Sequence, residues 1–303
     1  MSGITATDVY EFETGALKGA IRAGNALPHH GVIALRHKQT GAEFGHPEWS
    51  LLNIFRIMGA DPDVSGGMGG DLGQPRSEEH QIEVSDGALT LYWPPIPERR
   101  AAVRLKYEVG EDHIDVTASV RMEAPYRRFD LLLSSYNNPE VAPHVFLARD
   151  KFELTDVPGK FNDDPELVRV TMHPATRGGV LIFPRDVDAV RTFADGRWDT
   201  LARFSPVRRY KLPLMFHRAG GGPAAVWMTP PETCFAMGTG YDSPDPEDRF
   251  THNNPSYFSL FGHDVHTGDE LSATARLCVV ELEDDHAGPL RLYEEFLQDS
   301  RVR

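Results

Sequence analysis

Two histidines sit where proton transfer would need them, on polar loops that run into apolar strands. His252 opens the run His252-Asn253-Asn254, with Tyr257 soon after, and His144 follows Tyr136-Asn137-Asn138. An imidazole titrates near neutrality and can both accept and donate a proton at physiological pH. Neighbouring amides and phenols supply neutral hydrogen bonds that orient a polar ligand. His144 and His252 are therefore the catalytic candidates, and Tyr136, Asn137 and Asn254 are binding candidates beside them, because loops are the usual carriers of function. Arg56 stands in an otherwise apolar segment, LLNIFRIM. A guanidinium there must reach solvent, pair with a carboxylate, or line a cleft and hydrogen-bond a hydroxyl or carboxylate of a ligand. Asn53, three residues earlier, lies on the opposite face of a regular strand, so only a bulge brings both to one side.

His80, after Glu78-Glu79 at the start of a strand, is a further binding candidate. Trp93 beside the corner at Pro94, Pro95 and Pro97, and Trp49 near His46-Pro47, offer flat apolar surface close to a rim. Trp227, inside AAVWM, reads as core. His217 closes the apolar run KLPLMFHR and reads as a satisfied core or edge histidine. His263 and His266 point to opposite faces of a strand-like segment. No linear metal motif occurs, so no metal ligand is assigned and no cofactor is expected. A divalent metal on scattered histidines such as His144, His217 and His252 stays open, because ligands from distant strands leave no linear signature.

The chain has 303 residues, 40% of them hydrophobic, enough for one large all-β domain or two ordinary ones. A net charge of −14 argues against a nucleic-acid partner, which demands clustered Lys and Arg. No apolar run approaches the roughly 20 residues of a membrane helix. The opening MSGITATDVYEFETG has no basic-then-apolar pattern, so no secretory leader is expected. Only Cys234 and Cys278 occur, which is no disulfide framework, and a cytoplasmic setting is expected.

The elements that must position these groups are strands. Leu271, Ala273, Ala275, Leu277 and Val279 alternate with Ser272, Thr274, Arg276 and Cys278, the period of a strand with two unlike faces. Short strands are expected at Val9–Phe12, Leu17–Arg22 and Val32–His37. A meander follows at His80–Val84, Leu89–Trp93, Ala102–Val109 and His113–Arg121. Turn signals about every ten residues imply antiparallel pairing in a sandwich. Residues 61–73 and 151–165 read as loops, and Pro184–Gly196 as the site of a short helix. Near the C-terminus Leu290, Tyr293, Phe296 and Leu297 repeat with a helical period, predicting an amphipathic helix on the outside of the sheet. The expected architecture is a single domain, 1–303, of two large antiparallel sheets with a short C-terminal helix.

Three stretches resemble the galactose-mutarotase-like superfamily, the β-supersandwich of aldose epimerases and of domains in several polysaccharide lyases. Gly31–Arg56, ending in LLNIFR, looks like its opening hairpin, in which an Asn–Arg pair lines the sugar site. Ala224–Tyr241, AAVWMTPPETCFAMGTGY, is similar to its late hairpin. Asn254–Leu282 is like its closing strand pair. The resemblance implies a sugar or oligosaccharide ligand in the concave sheet face of a monomer or homodimer. It also implies acid–base chemistry of the epimerase, mutarotase or lyase kind. Mutarotation removes a proton from O1 and gives one to O5; elimination needs a base and a group that neutralises an oxyanion. Mutarotases place a catalytic Glu just after the late hairpin. The matching Ala236–Gly240 has no carboxylate, and Asp242 and Asp245 follow, so Asp242 joins His144 and His252 as a catalytic candidate. The missing Glu also keeps open a non-catalytic carbohydrate-binding protein on the same scaffold.

Overall fold

The computed structural model describes residues 8–24, 29–46, 48–60, 70–85, 87–148, 165–170, 179–189, 202–205, 208–218, 222–241, 243, 245–248, 250–282 and 287–299. Strands β1 (Val9–Glu13), β2 (Leu17–Arg22), β3 (Gly31–His37) and β4 (Glu43–Phe44) pair in that order as a small sheet. The chain then alternates between two larger sheets. Strands β5 (Asn53–Ala60) and β6 (Gly70–Gly73) enter the first. Strands β7 (Gln81–Ser85), β8 (Ala88–Trp93), β9 (Ala101–Val109) and β10 (His113–Met122) run as a meander in the second. Strand β11 (Tyr126–Asn137) returns to the first, and β12 (Ala142–Ala148) and β13 (Pro165–Arg169) to the second. Strands β14 (Val180–Pro184) and β15 (Ala202–Phe204) extend the first, and β16 (Tyr210–Arg218) and β17 (Ala224–Met228) the second. Strands β18 (Cys234–Gly240) and β19 (Asn254–Val265) go back to the first, β20 (Glu270–Val280) closes the second, and helix α1 (Ala287–Gln298) ends the described chain.

Among the described residues the first sheet has seven strands in the order β15-β14-β18-β19-β11-β5-β6. The second has nine, β13-β12-β16-β17-β20-β10-β9-β8-β7. Neighbours pair antiparallel, as expected, except β14 and β15, which are parallel. The two large sheets are thus the sandwich that the alternating patterns predict, and the N-terminal strands form a third, smaller sheet whose Leu17, Ile21, Val32 and Leu35 join the same core. Between Pro184 and Gly196 the described part is a single 3₁₀ turn at Val187–Ala189.

Strand parity decides what each face meets. Ile54, Leu131, Leu133, Phe258 and Leu260 of the seven-stranded sheet meet Leu91, Leu105, Val116, Ala275 and Leu277 of the nine-stranded one in one continuous core. Truncating such a side chain to Ala costs about 2–5 kcal/mol, the lost transfer energy plus the cavity. Polar groups inside this core are paired across the sheets: Trp227 Nε1 donates to Ser135 Oγ at 3.0 Å and Tyr107 Oη to the Leu52 carbonyl at 2.7 Å.

Helix α1 lies on the outer face of the nine-stranded sheet, where Tyr293 and Phe296 pack with Phe146, Phe216, Val226 and Cys278. The mixed face of β20 explains that position. Arg276 donates from Nε and Nη2 to the two oxygens of Asp115 at 2.6 and 2.8 Å, and from Nη2 to Asp299, just beyond the helix, at 2.8 Å. Its guanidinium also lies 5.3 Å from the Phe296 ring centre.

Candidate functional site

The face of the seven-stranded sheet turned away from the core carries a second cluster, in which Phe55, Met58, Leu132, Phe235 and Tyr257 pack together. Its composition depends on one irregularity in β5. Leu133 pairs with Ile54, but Leu132 pairs with Arg56, so Phe55 is an extra residue, a β-bulge. Ile54 and Ile57 face the core, while Phe55, Arg56 and Met58 all turn outward. The bulge is the exception foreseen for Asn53 and Arg56. Asn53 is nonetheless committed to the scaffold: its amide donates to Ser50 and to the Ser134 carbonyl, and its oxygen accepts from Ser134 Oγ at 2.8 Å.

Aromatic rings extend from Phe55 across this face in a chain. Phe55 lies 6.1 Å from Tyr257, Tyr257 6.3 Å from Tyr136, Tyr136 5.7 Å from Trp49, and Trp49 5.9 Å from Phe250. Strands β11 and β19 supply the two central tyrosines; loops supply Trp49 and Phe250. Phe250 is 71% exposed, an apolar ring held out on a polar loop beside the indole. Tyr257 Oη donates to Tyr241 Oη at 3.0 Å. Tyr241 itself has φ 58°, the left-handed region that a residue with a bulky side chain occupies only when its surroundings force it to. Burial, then the neighbouring Tyr136 phenol, raises the pKa of both Tyr257 and Tyr241, so each hydroxyl stays protonated and able to donate.

Two guanidiniums border the rings. Arg76, in a 3₁₀ turn after β6, lies 4.1 Å from the Phe55 ring centre, and Arg56 lies 5.6 Å from it. Arg56 is paired with Asp71 at 3.5 Å. Among the described residues no carboxylate forms an ion pair with Arg76, and its Nε is buried without a hydrogen-bond acceptor. The His29 ring lies 5.6 Å from that of Trp49, tilted by 39°. Burial, and then the charge of Arg76, pushes its pKa down to about 4, so it is neutral at pH 7. A buried carboxylate, Asp130, sits on the same face and accepts Ser259 Oγ, 2.9 and 3.0 Å from its two oxygens.

Of the residues singled out from sequence, the structure brings Arg56, Tyr136 and Trp49 together on this face. His252 is half-buried on the Phe250 loop with Nδ1 2.7 Å from the Ser243 carbonyl, at the rim. Asp242 lies outside the described residues. His144 does not join them. It sits on the opposite side of the sandwich, stacked at 4.7 Å and 3° on Phe216 on the outer face of the nine-stranded sheet. The reason is parity: Val145 and Leu147 take the core side of β12, so His144 must take the other. The expectation that His144 joins His252 as a catalytic group is therefore corrected: His144 lies on the sheet face away from the rings.

Trp93 is fully buried rather than at a rim, with Nε1 donating to the Pro75 carbonyl and its ring against His80 and His30. His80 is buried there too, its ring nitrogens on the Ala23 and Glu78 carbonyls. Asn137 donates to the Asn254 carbonyl and Ser256 Oγ, and Asn254 to the Pro139 and Val141 carbonyls, so both fix backbone. His217 is the core histidine foreseen, with Nε2 2.7 Å from Ser256 Oγ. Among the described residues no three His, Cys, Asp or Glu side chains converge as a metal site. Sequence reasoning missed Arg76, His29, Tyr241 and Asp130; the one linear signal was Phe250, apolar in the polar stretch Asp248–Asn254.

No family model matches the chain, and no curated protein sequence matches it. Solved structures do. A galactose mutarotase related enzyme from Lactobacillus acidophilus superposes with a TM-score of 0.54 at 12% identity, over 92% of this chain and 99% of that one. An alpha-N-acetylgalactosaminidase from Bifidobacterium bifidum, in complex with GalNAc, superposes with a TM-score of 0.51 at 10% identity, over 95% of this chain and 38% of that much longer one. At such identity the likeness is one of fold, and it bears out the galactose-mutarotase-like sandwich.

Proposed function

We propose that this galactose-mutarotase-like chain binds a sugar or sugar derivative on the outer face of its seven-stranded sheet. The observation that carries the reading is the run of rings from Phe55 to Phe250 bordered by two guanidiniums. A pyranose has an apolar face that packs on indole and phenol rings, and hydroxyls around its edge that need donors and acceptors. Trp49 and the exposed Phe250 serve the first need, with the buried Tyr136 and Tyr257 rings packed behind them; Arg56, Arg76 and the hydroxyl of Tyr241 serve the second. Arg76, unpaired with any described carboxylate, would also receive an anionic substituent. The chemistry proposed is proton transfer of the epimerase, mutarotase or lyase kind. Its proton groups are His252 at the rim, with Asp242 two residues beyond β18. A second reading is binding without turnover. The specific observation in its favour is that Ala236, Gly238 and Gly240 of β18 bring no carboxylate to the face where a mutarotase carries one.

Both thiols are free and buried, and burial pushes each up to about 12, which fits a reducing, cytoplasmic setting. No helix among the described residues is long and apolar enough to cross a membrane.

Calorimetry against hexoses, uronic acids and sugar phosphates tests the binding. Polarimetry of anomer interconversion and ultraviolet absorbance of unsaturated products test the turnover. Binding that weakens in Trp49→Ala and Arg56→Ala supports the reading; affinity unchanged in both removes the site. Turnover lost in His252→Ala with binding kept favours the enzyme, and binding with no turnover in the wild type favours the second reading.

A further inference from the structure

The chain leaves β18 at Tyr241 under constraint. Tyr241 N–H donates to the Gly179 carbonyl at 2.7 Å, and its φ is 58°. Glycine would take this left-handed conformation without strain; a tyrosine is held in it only where its surroundings over-determine it. The turn brings the phenol to the neighbouring strand β19, where Tyr257 Oη donates to Tyr241 Oη at 3.0 Å. Tyr257 is 2% exposed, packed against Phe55 and Tyr136, whereas Tyr241 is only partly buried. The buried hydroxyl thus gives its hydrogen to the more accessible one. Among the described residues nothing accepts the O–H of Tyr241 itself, which is left to donate to a ligand.

We infer that Tyr241 is the general acid of this cleft, the group that protonates a sugar oxygen as its bond to carbon breaks. The inference rests on the sugar-binding reading above and names a catalytic residue for it. Tyr241 is the first ionisable side chain beyond Ala236–Gly240, the run without a carboxylate. Its surroundings suit a donor that must give up a proton and take it back. Burial, then the Tyr136 phenol, raises its pKa and keeps it protonated at neutral pH. The hydrogen bond from Tyr257 and the positive charge of Arg76 act in the opposite sense. Both grow stronger as phenol turns to phenolate, so they favour the state formed during the transfer over the resting one.

The proton that the substrate loses needs a separate acceptor. His252 Nδ1 lies 2.7 Å from the Ser243 carbonyl, which fixes the hydrogen on Nδ1 and leaves Nε2 with its lone pair. In ring opening His252 takes the O1 proton, the C1–O5 bond breaks with its electron pair passing to O5, and Tyr241 protonates O5. Ring closure returns both protons. In an elimination His252 takes a C–H proton instead, Tyr241 protonates the leaving oxygen, and exchange with water then restores both groups. Tyr257, which does not reach the substrate, is a positioning residue.

The test runs polarimetry and ultraviolet absorbance for turnover beside calorimetry for binding, on the full chain with hexoses and uronic acids. Tyr241→Phe keeps the ring and should leave sugar affinity within about threefold while lowering kcat about 100-fold or more. Tyr257→Phe should lower kcat about tenfold, through loss of the hydrogen bond to the phenolate. A more acidic fluorotyrosine placed at position 241 keeps shape and fold even where Tyr241→Phe does not. It should move the alkaline limb of the kcat profile to lower pH, which a purely structural role would not do. Three results would overturn the inference and leave the sugar-binding reading standing: kcat in Tyr241→Phe within about threefold of wild type, affinity lost along with turnover, or a pH profile unmoved by fluorotyrosine. A wild type that binds sugars without turnover overturns it and favours the second reading; one that binds no sugar overturns both.

Discussion

Replacing Arg276 by Met should cost about 3–5 kcal/mol of stability, because it strands a buried carboxylate. The guanidinium is 8% exposed and holds Asp115, itself 5% exposed, by two hydrogen bonds of 2.6 and 2.8 Å. Methionine keeps much of the volume and the contact with Phe296, so the loss is electrostatic. Asp115 is left as a buried carboxylate without its cation, a situation worth about 3–5 kcal/mol. The lost contact with the more accessible Asp299 adds at most about 1 kcal/mol. At roughly 2 °C per kcal/mol for a chain of this size, the midpoint of thermal unfolding should fall by about 6–10 °C. Circular dichroism against temperature and urea measures it. The double variant Asp115→Leu with Arg276→Met separates the two causes. If the buried charge is responsible, removing both partners should recover most of the loss. A single variant within about 1 kcal/mol of wild type, or a double variant no better than the single, refutes the reasoning.

Other outcomes follow from the same geometry. Trp49→Ala should weaken sugar binding about tenfold while leaving the unfolding midpoint within a degree or two, by calorimetry and thermal melts, because the indole is only half-buried. His29 and His217 have folded pKa values pushed from 6.5 to about 4 and about 3, largely by burial, so the unfolded chain binds protons that the folded chain refuses. Stability is therefore full above pH 6.5 and should fall as pH drops toward 4; urea midpoints across that window check it, and a flat profile contradicts it. Gly262→Ala should destabilise by about 2 kcal/mol or more, since φ is 73° and a Cβ would stand 2.3 Å from the Phe235 ring. Arg76→Met should raise the His29 pKa, read by proton NMR titration, because a positive charge beside the imidazole is removed.

The fold was legible because its signals are local. Alternation in β20 and the helical repeat of Leu290, Tyr293, Phe296 and Leu297 each record a face, and turns separate the meander strands. The cleft was legible only in part. Arg56 stood out because a guanidinium among apolar residues has few places to go. His144 misled, since a histidine near a loop looks the same whichever side of a sheet it faces, and Val145 and Leu147 set that side. Trp93 and His80 misled for a related reason: a proline corner can fold inward as readily as it can border a cleft. Arg76, His29 and Tyr241 left no trace, because three separate connections meet only once the sheet is assembled.

The extra residue in β5 acts as a change of phase. Before it the pleat presents Ile54 to the interior; after it Ile57 takes that place, and Phe55 and Arg56 are both left on the outer face. Were the strand regular with Phe55 kept, alternation from Ile54 would turn Arg56 inward and Ile57 outward, a guanidinium in oil and an aliphatic side chain in water. A register that looks like a local imperfection is thus what lets one strand serve a dry interior and a charged cleft at once.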